Sequence, residues 1–349
     1  MKVLAILDEG GKYSDNPNML GCVENELKLR EWLEYQMHTY IVTSNISGAG
    51  NVMDKELPDT DVLITTPYYP VHITAERIAM AKKLKLIITA GIGSDQIDIT
   101  AAKKANITVI EITESHSVSV AEHAVMTMLI LLRNFIPAHE QIVRGDWNPN
   151  EAAAFSQDIA DKIVGTVGCG RVGSRVLRRL KGFGCKELVY FDPKGLDPGM
   201  ESELGVRRCP TLCNLIEICD VINISCPLTE ETFGLFNRQL FNSMKRGVII
   251  VNTARGALVD RDALVEAVHN GIVRGYGGDA WYPHIPPKDH PWRTMPHNAM
   301  VPHYAGSTLD SQERFAERAM DTLQRFLRHE PMRQEDIIVG EAVYLGEKE

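Results

Sequence analysis

The chain has 349 residues, 44 % of them hydrophobic and 24 % charged, which are the proportions of a folded globular protein long enough for two domains. With 46 acidic against 37 basic residues its net charge is −9; this argues against nucleic acid or a membrane surface as partner and means an anionic substrate needs a local cationic pocket. The seven cysteines, an odd number without paired CxxC spacing, read as reduced thiols of a cytoplasmic protein rather than as disulfides or metal ligands.

Residues 2–7 form a predicted first strand, too short and too quickly followed by Asp8 for a signal peptide. A helix over 24–37 follows, with Leu27, Leu29, Trp32 and Leu33 as its apolar positions. Strands are expected at 40–43, 62–65, 86–89 and 109–112, with a helix over 74–84 that Thr74 caps. This alternation implies α/β architecture with parallel sheets. The run 118–136 reads as one long apolar helix (Ala121, Val125, Met128, Leu129, Leu132). Glu122 and His123 inside it, and its length, argue against a membrane span, so burial in a subunit interface is expected. Residues 144–160 read as a surface loop. A second alternation places strands at 163–167, 188–191, 221–225 and 248–252, and helices at 172–183, 211–219 and 261–270. A Pro-rich loop at 282–292 and a last helix at 309–329 complete the pattern.

The second alternation carries the most specific motif. Strand 163–167 runs into Gly168-x-Gly170-x-x-Gly173, a helix opens with Arg171 and Val172, and the next strand delivers Asp192, 19 residues after the last glycine. Gly168 suits a tight turn, Gly170 lets backbone N–H groups approach a pyrophosphate, and Gly173 lets helix and strand pack closely. The helix N-terminus favours the anion. Asp192 accepts from ribose hydroxyls and repels a 2′-phosphate, and Pro193 rather than arginine follows it, so the motif points to NAD. Three further segments begin where strands should end, the position at which open α/β sheets bind ligands: 250–256, 277–284 and 298–306.

With these segments in place the chain resembles the D-2-hydroxyacid dehydrogenase family, and within it the NAD-dependent formate dehydrogenases. The likeness runs nearly end to end through Thr66-Pro67-Tyr68, Ala90-Gly91-Ile92-Gly93-Ser94-Asp95, Ser119-Val120-Ala121-Glu122-His123, Asn252-Thr253-Ala254-Arg255-Gly256 and Asp289-His290-Pro291-Trp292-Arg293. The resemblance implies two Rossmann-like domains with a cleft between them. A flavodoxin-like substrate domain would comprise 1–116 and 312–349, and an NAD-binding Rossmann domain 117–311, with homodimerisation through helix 118–136. It implies that Arg255 holds a substrate carboxylate, that His303 is the active-site histidine, and that Asp279 bonds the nicotinamide amide. It further implies that Ile92 donates its backbone N–H to the substrate, that Pro67 and Tyr68 wall the pocket, and that Pro227, Thr253 and Gly306 complete the cofactor set. No metal is expected.

Three positions depart from the formate branch: His116 stands where it has Asn, His284 where it has Gln, and Ala305 where it has Ser. Formate carries no O–H proton, so its oxidation needs orientation and desolvation of a carboxylate rather than acid–base work. His116 and His284 are therefore expected in the catalytic set. Formate oxidation is the primary reading, with a larger or more highly charged acid, such as a 2-oxo acid or a phosphonate-bearing acid, as the alternative that two added histidines suggest.

Overall fold

Strand β1 (Lys2–Ile6) sends Val3 and Ala5 into one buried layer and Leu4 and Ile6 into another. Its sheet is thus covered on both faces, as parallel sheets require. The computed structural model describes residues 1–66, 71–90, 94–112 and 114–340. The chain divides into two units, Met1–Ser117 with Gly306–Glu349, and Val118–Ala305.

In the first unit β1 lies between β2 (Thr39–Thr43) and β3 (Val62–Thr65), followed by β4 (Leu86–Ala90) and β5 (Thr108–Ile112), all parallel. The order β2-β1-β3-β4-β5 is flavodoxin-like. Helix Leu309–Leu327 returns to this unit and buries Phe315, Ala319 and Leu323 in the layer that holds Val3, Ala5, Ile88 and Ile110. This shared core is why the unit is discontinuous in sequence.

The second unit contains β6 (Ile163–Val167), β7 (Glu187–Phe191), β8 (Arg207–Arg208), β9 (Val221–Ile224), β10 (Val248–Asn252), β11 (Val273–Gly278) and β12 (Asn298–Met300). The order β12-β11-β10-β9-β6-β7-β8 contains the doubly wound dinucleotide-binding arrangement, with its switch point between β6 and β9. In β10, Ile249 and Val251 face one core layer while Val248 and Ile250 face the other. A final strand, β13 (Ile337–Val339), pairs antiparallel with β5 at the edge of the first sheet.

The structure corrects several expected elements. No continuous helix spans 24–37: Glu26, Leu27 and Lys28 have φ of 52°, 55° and 55°, and only Arg30–Tyr35 is α-helical. Leu27, Leu29 and Leu33 are all buried, and residues two apart do not share a helical face, so a left-handed turn aims them at one core. The helix over 74–84 stops earlier, as Ala75–Met80, with Thr74 accepting from the Arg77 N–H as expected. The run 118–136 is helix Glu114–Leu132, a left-handed Asn134 (φ 52°), and a second helix Phe135–Arg144. Within 144–160, Pro149–Ala154 is helical, capped by Asn148. Length and composition do not exclude a membrane span, since Glu114–Leu132 is long and apolar enough on both counts. Burial decides instead: Ala121, Ala124, Met128 and Leu132 pack into one core layer with Val164, Val176 and Leu177 of their own unit.

Candidate active site

The glycine motif forms the turn its spacing implies. Gly168 has φ +87°, and a Cβ there would lie 2.6 Å from the Cys226 nitrogen. A Cβ on Gly173 would lie 2.2 Å from the Gly168 carbonyl oxygen. Both contacts exclude any side chain. The helix Arg171–Leu180 begins with Gly170 as its N-cap, which leaves first-turn N–H groups pointing out of the turn. Beneath it runs a buried chain of polar groups: Asn223 Nδ2 donates to Thr166 Oγ1 at 3.0 Å and to Ser225 Oγ at 2.7 Å, and Thr166 Oγ1 donates to the Gly168 carbonyl at 3.1 Å. Asp192 accepts from the Cys169 N–H through Oδ2 at 2.9 Å and from the Lys194 N–H through Oδ1 at 2.9 Å. Val172, in the first turn of that helix, is half-buried, and Pro227, two residues after Ser225, is exposed.

Arg255 follows β10 in a short turn held by Asn252. Asn252 Oδ1 accepts from the Ala254 N–H at 3.0 Å, while Nδ2 donates to the Arg255 carbonyl at 3.0 Å and to the Tyr276 hydroxyl at 3.2 Å. The segments after β11 and β12 lock onto this turn and onto each other. The Asp279 N–H donates to the Asn252 carbonyl at 3.3 Å and the Val301 N–H to the Gly278 carbonyl at 2.9 Å. Trp281 Nε1 donates to the Val301 carbonyl at 2.8 Å, and the Ala305 N–H to Asp279 Oδ2 at 2.7 Å. At the far end His284 Nε2 and His303 Nδ1 share a hydrogen bond of 2.7 Å. Since each neutral ring has one N–H, whichever ring donates here fixes the tautomer of the other.

Burial pushes the Asp279 carboxyl up to about 7, against the opposing pull of the Ala305 N–H and the Arg255 charge. Asp279 Oδ1 and Thr253 Oγ1 are buried and have no hydrogen-bond partner among the described residues. Two orphaned polar atoms at the ends of neighbouring strands, in the same unit as the glycine turn, fit a dinucleotide that brings its own donors. Among the described residues no three His, Cys, Asp or Glu side chains cluster as metal ligands.

His116 differs from its expectation. It is buried in the first unit, with Nδ1 2.5 Å from Ser115 Oγ and its ring 6.4 Å from that of Phe315. Burial, reinforced by the charge of Arg314, drives its pKa down to about 3. It is a neutral core imidazole near neutral pH, so the two added histidines do not amount to two added cations. That removes the ground for a larger, more highly charged substrate. The departure at Ala305 is also milder than its side chain suggests, because its backbone N–H makes the bond to Asp279. Pro67, Tyr68 and Ile92 lie outside the described residues. Gly306 falls in the first unit, where its carbonyl accepts from Ser311 Oγ at 2.6 Å.

Sequence reasoning passed over Asn223, Tyr276 and Arg208. Asn223 carried a readable signal, a polar residue inside the apolar strand Val221–Ile224, because a buried polar group is the informative exception in a core. Tyr276 and Arg208 carried none, since their partners lie 24 and 16 residues away.

Comparison with known proteins agrees with this geometry. Residues 125–305 match the family described as D-isomer specific 2-hydroxyacid dehydrogenase, NAD binding domain. A formate dehydrogenase of Chaetomium thermophilum is 52 % identical over 353 residues, 99 % of this chain and 95 % of that protein. Among solved structures, a Granulicella formate dehydrogenase superposes with a TM-score of 0.93 at 42 % identity, covering 99 % of this chain and all of the other. The NAD-dependent formate dehydrogenase of Staphylococcus aureus in complex with NAD gives 0.89 at 43 % identity, covering 98 % of this chain and all of the other.

Proposed function

The chain belongs to the D-isomer specific 2-hydroxyacid dehydrogenases and, within them, to the formate dehydrogenases, and from that premise we propose that it oxidises formate with NAD+ to CO2 and NADH. It is an NAD-dependent oxidoreductase acting on a small anion. Bound NAD+ supplies the acceptor for the hydride that leaves the formate carbon. The chain's own residues bind and orient. Arg255 grips the formate carboxylate with its guanidinium fork, whose planar donors match both oxygens. His303 donates a second hydrogen bond to that carboxylate from Nε2, which requires that His284 carry the proton of their shared bond. His284 thus does the work of the family's Gln. Asp279 accepts from the nicotinamide amide through its orphaned oxygen, and Thr253 offers its hydroxyl nearby. Gly168, Gly170, Arg171, Val172, Gly173 and Pro227 accommodate the pyrophosphate side, Gly306 follows Ala305 on the nicotinamide side, and Asp192 takes the adenosine ribose. Ile92, Pro67 and Tyr68 belong to the formate pocket in this reading. His116 has no direct part.

The observation that carries the reading is the mutual locking of the segments after β10, β11 and β12, which makes Arg255, Asp279 and the paired His284 and His303 parts of one framework. Following NADH absorbance with formate and a panel of 2-hydroxy acids tests it. Formate giving the highest kcat/KM is expected, and any 2-hydroxy acid exceeding it refutes the reading.

The first unit is assigned as the substrate domain and the second as the NAD-binding domain. The enzyme works as a homodimer. Phe135, Ile142, Val143, Trp147 and Phe155 are exposed apolar side chains within about twenty residues, and their burial against a second copy would favour association. A monomeric mass by light scattering would refute the dimer. All seven cysteines are free, in keeping with residence in the cytoplasm, which imaging of a fluorescent fusion tests.

A further inference from the structure

Cofactor choice in this chain rests on more than the acid at the end of β7. The sequence sets only Pro193 and Lys194 beside Asp192, but the fold brings an arginine to the same loop from β8. Arg208 Nη2 donates to the carbonyls of both Asp192 and Pro193, each at 2.8 Å. The guanidinium also lies against Gly195, where a Cβ would come 3.1 Å from Nη1 and 3.2 Å from Cζ. The backbone of 192–195 is therefore clamped from one side by Arg208. From the other side the Asp192 carboxylate is held by the N–H groups of Cys169 and Lys194.

The loop places one carboxylate among two exposed cations, Lys194 and Arg208. A vicinal diol donates to the carboxylate and is welcome. A 2′-phosphate meets the carboxylate's charge and is refused, although the surrounding charge is of the sign that binds phosphate. We propose that Arg208 is a specificity-determining residue for the adenosine ribose. It holds the 192–195 loop so that Asp192 faces the diol, and it supplies the latent cation that takes a 2′-phosphate once the carboxylate is gone. NAD selectivity is then a single negative charge mounted on a cationic loop.

This inference rests on the NAD reading, so its test includes binding measurements that need no turnover. Calorimetric affinities for ADP-ribose and 2′-phospho-ADP-ribose are compared for the parent, Asp192→Ser, Arg208→Gln, Arg208→Lys and the double variant Asp192→Ser/Arg208→Gln, with melting temperatures as a control for folding. Asp192→Ser is expected to move the affinity ratio toward the 2′-phosphate by about 100-fold, and adding Arg208→Gln to reverse about 10-fold or more of that shift, the scale of charge-assisted hydrogen bonds. Arg208→Gln alone should weaken ADP-ribose, and Arg208→Lys, which keeps the charge but not the two-carbonyl clamp, should weaken it less. A double variant with the full shift of Asp192→Ser overturns the proposal. So does an Arg208→Gln variant that binds ADP-ribose as the parent does. The ratio separates specificity from mere loop support, which would weaken both ligands alike. A parent protein that shows no formate turnover while the binding ratios behave as expected would refute the proposed reaction and leave this inference standing.

Discussion

Replacing His116 with asparagine should make the protein less sensitive to acid. The imidazole is 3 % exposed, its Nδ1 lies 2.5 Å from the Ser115 hydroxyl, and the charge of Arg314 disfavours the imidazolium. Its pKa is lowered from 6.5 to about 3. A depressed pKa contributes stability that is present above the unfolded value and lost as pH falls through the interval toward the folded one. Between pH 6.5 and 4.5 the unfolded chain takes up a proton that the native chain refuses, at about 1.36 kcal/mol per unit, or roughly 2.7 kcal/mol by pH 4.5. For a domain of 150–250 residues this corresponds to about 5–10 °C in melting temperature. Asparagine keeps an N–H donor for the Ser115 hydroxyl oxygen, whose own proton goes to the Ile112 carbonyl at 2.8 Å, and has nothing to protonate. Calorimetric melts of parent and His116→Asn at pH 7.5, 6, 5 and 4.5 should show curves that diverge below pH 6.5, the variant losing less. Parallel curves across the series would refute the neutral-core account of His116 and return it to the list of cationic site residues.

Other expectations follow from the same framework. Asp279 has a raised pKa, so its contribution runs the other way: present at low pH and lost as pH rises from about 4 to about 7. Asp279→Asn should match the parent at pH 4 and exceed it at pH 8 by about 4 kcal/mol at most, read from denaturant midpoints, while weakening NAD+ binding. Arg255→Lys should lower kcat/KM for formate by about 10²- to 10⁴-fold, the loss of a two-pronged charged contact, and a change under 10-fold would remove Arg255 from the carboxylate site. His284→Ala should cost about 10-fold in kcat/KM because His303 Nδ1 loses its partner, with His284→Gln recovering it; equal losses in both variants would count against a purely hydrogen-bonding role. Gly173→Ala places a methyl 2.2 Å from the Gly168 oxygen, so calorimetry should find ADP-ribose binding abolished and unfolding at a lower temperature.

Much of the α/β pattern was legible in the residues because burial on both sheet faces demands unbroken apolar strands, as in Val248–Asn252, and because caps such as Thr74 and Thr211 mark helix starts locally. The glycine spacing could be read for the same reason: a turn, a phosphate and a helix start impose their requirements within six residues. Where prediction failed, a second constraint competed. Leu27 and Leu29 follow the core rather than the helix period, and Asn134 accepts a left-handed bend inside an apolar run.

What the sequence determined by itself was therefore the set of local commitments: parallel strands, the dinucleotide turn, Asp192 beyond it, and a guanidinium and an imidazole in strand-end segments. Tertiary structure alone decided which polar groups keep their charge and which meet. Desolvation by Phe315 and neighbouring core groups made His116 neutral, sheet order brought Asn252 to Tyr276, and the pairing of β7 with β8 carried Arg208 to the Asp192 loop. Burial and long-range proximity belong to the folded chain as a whole, and no window of residues encodes either.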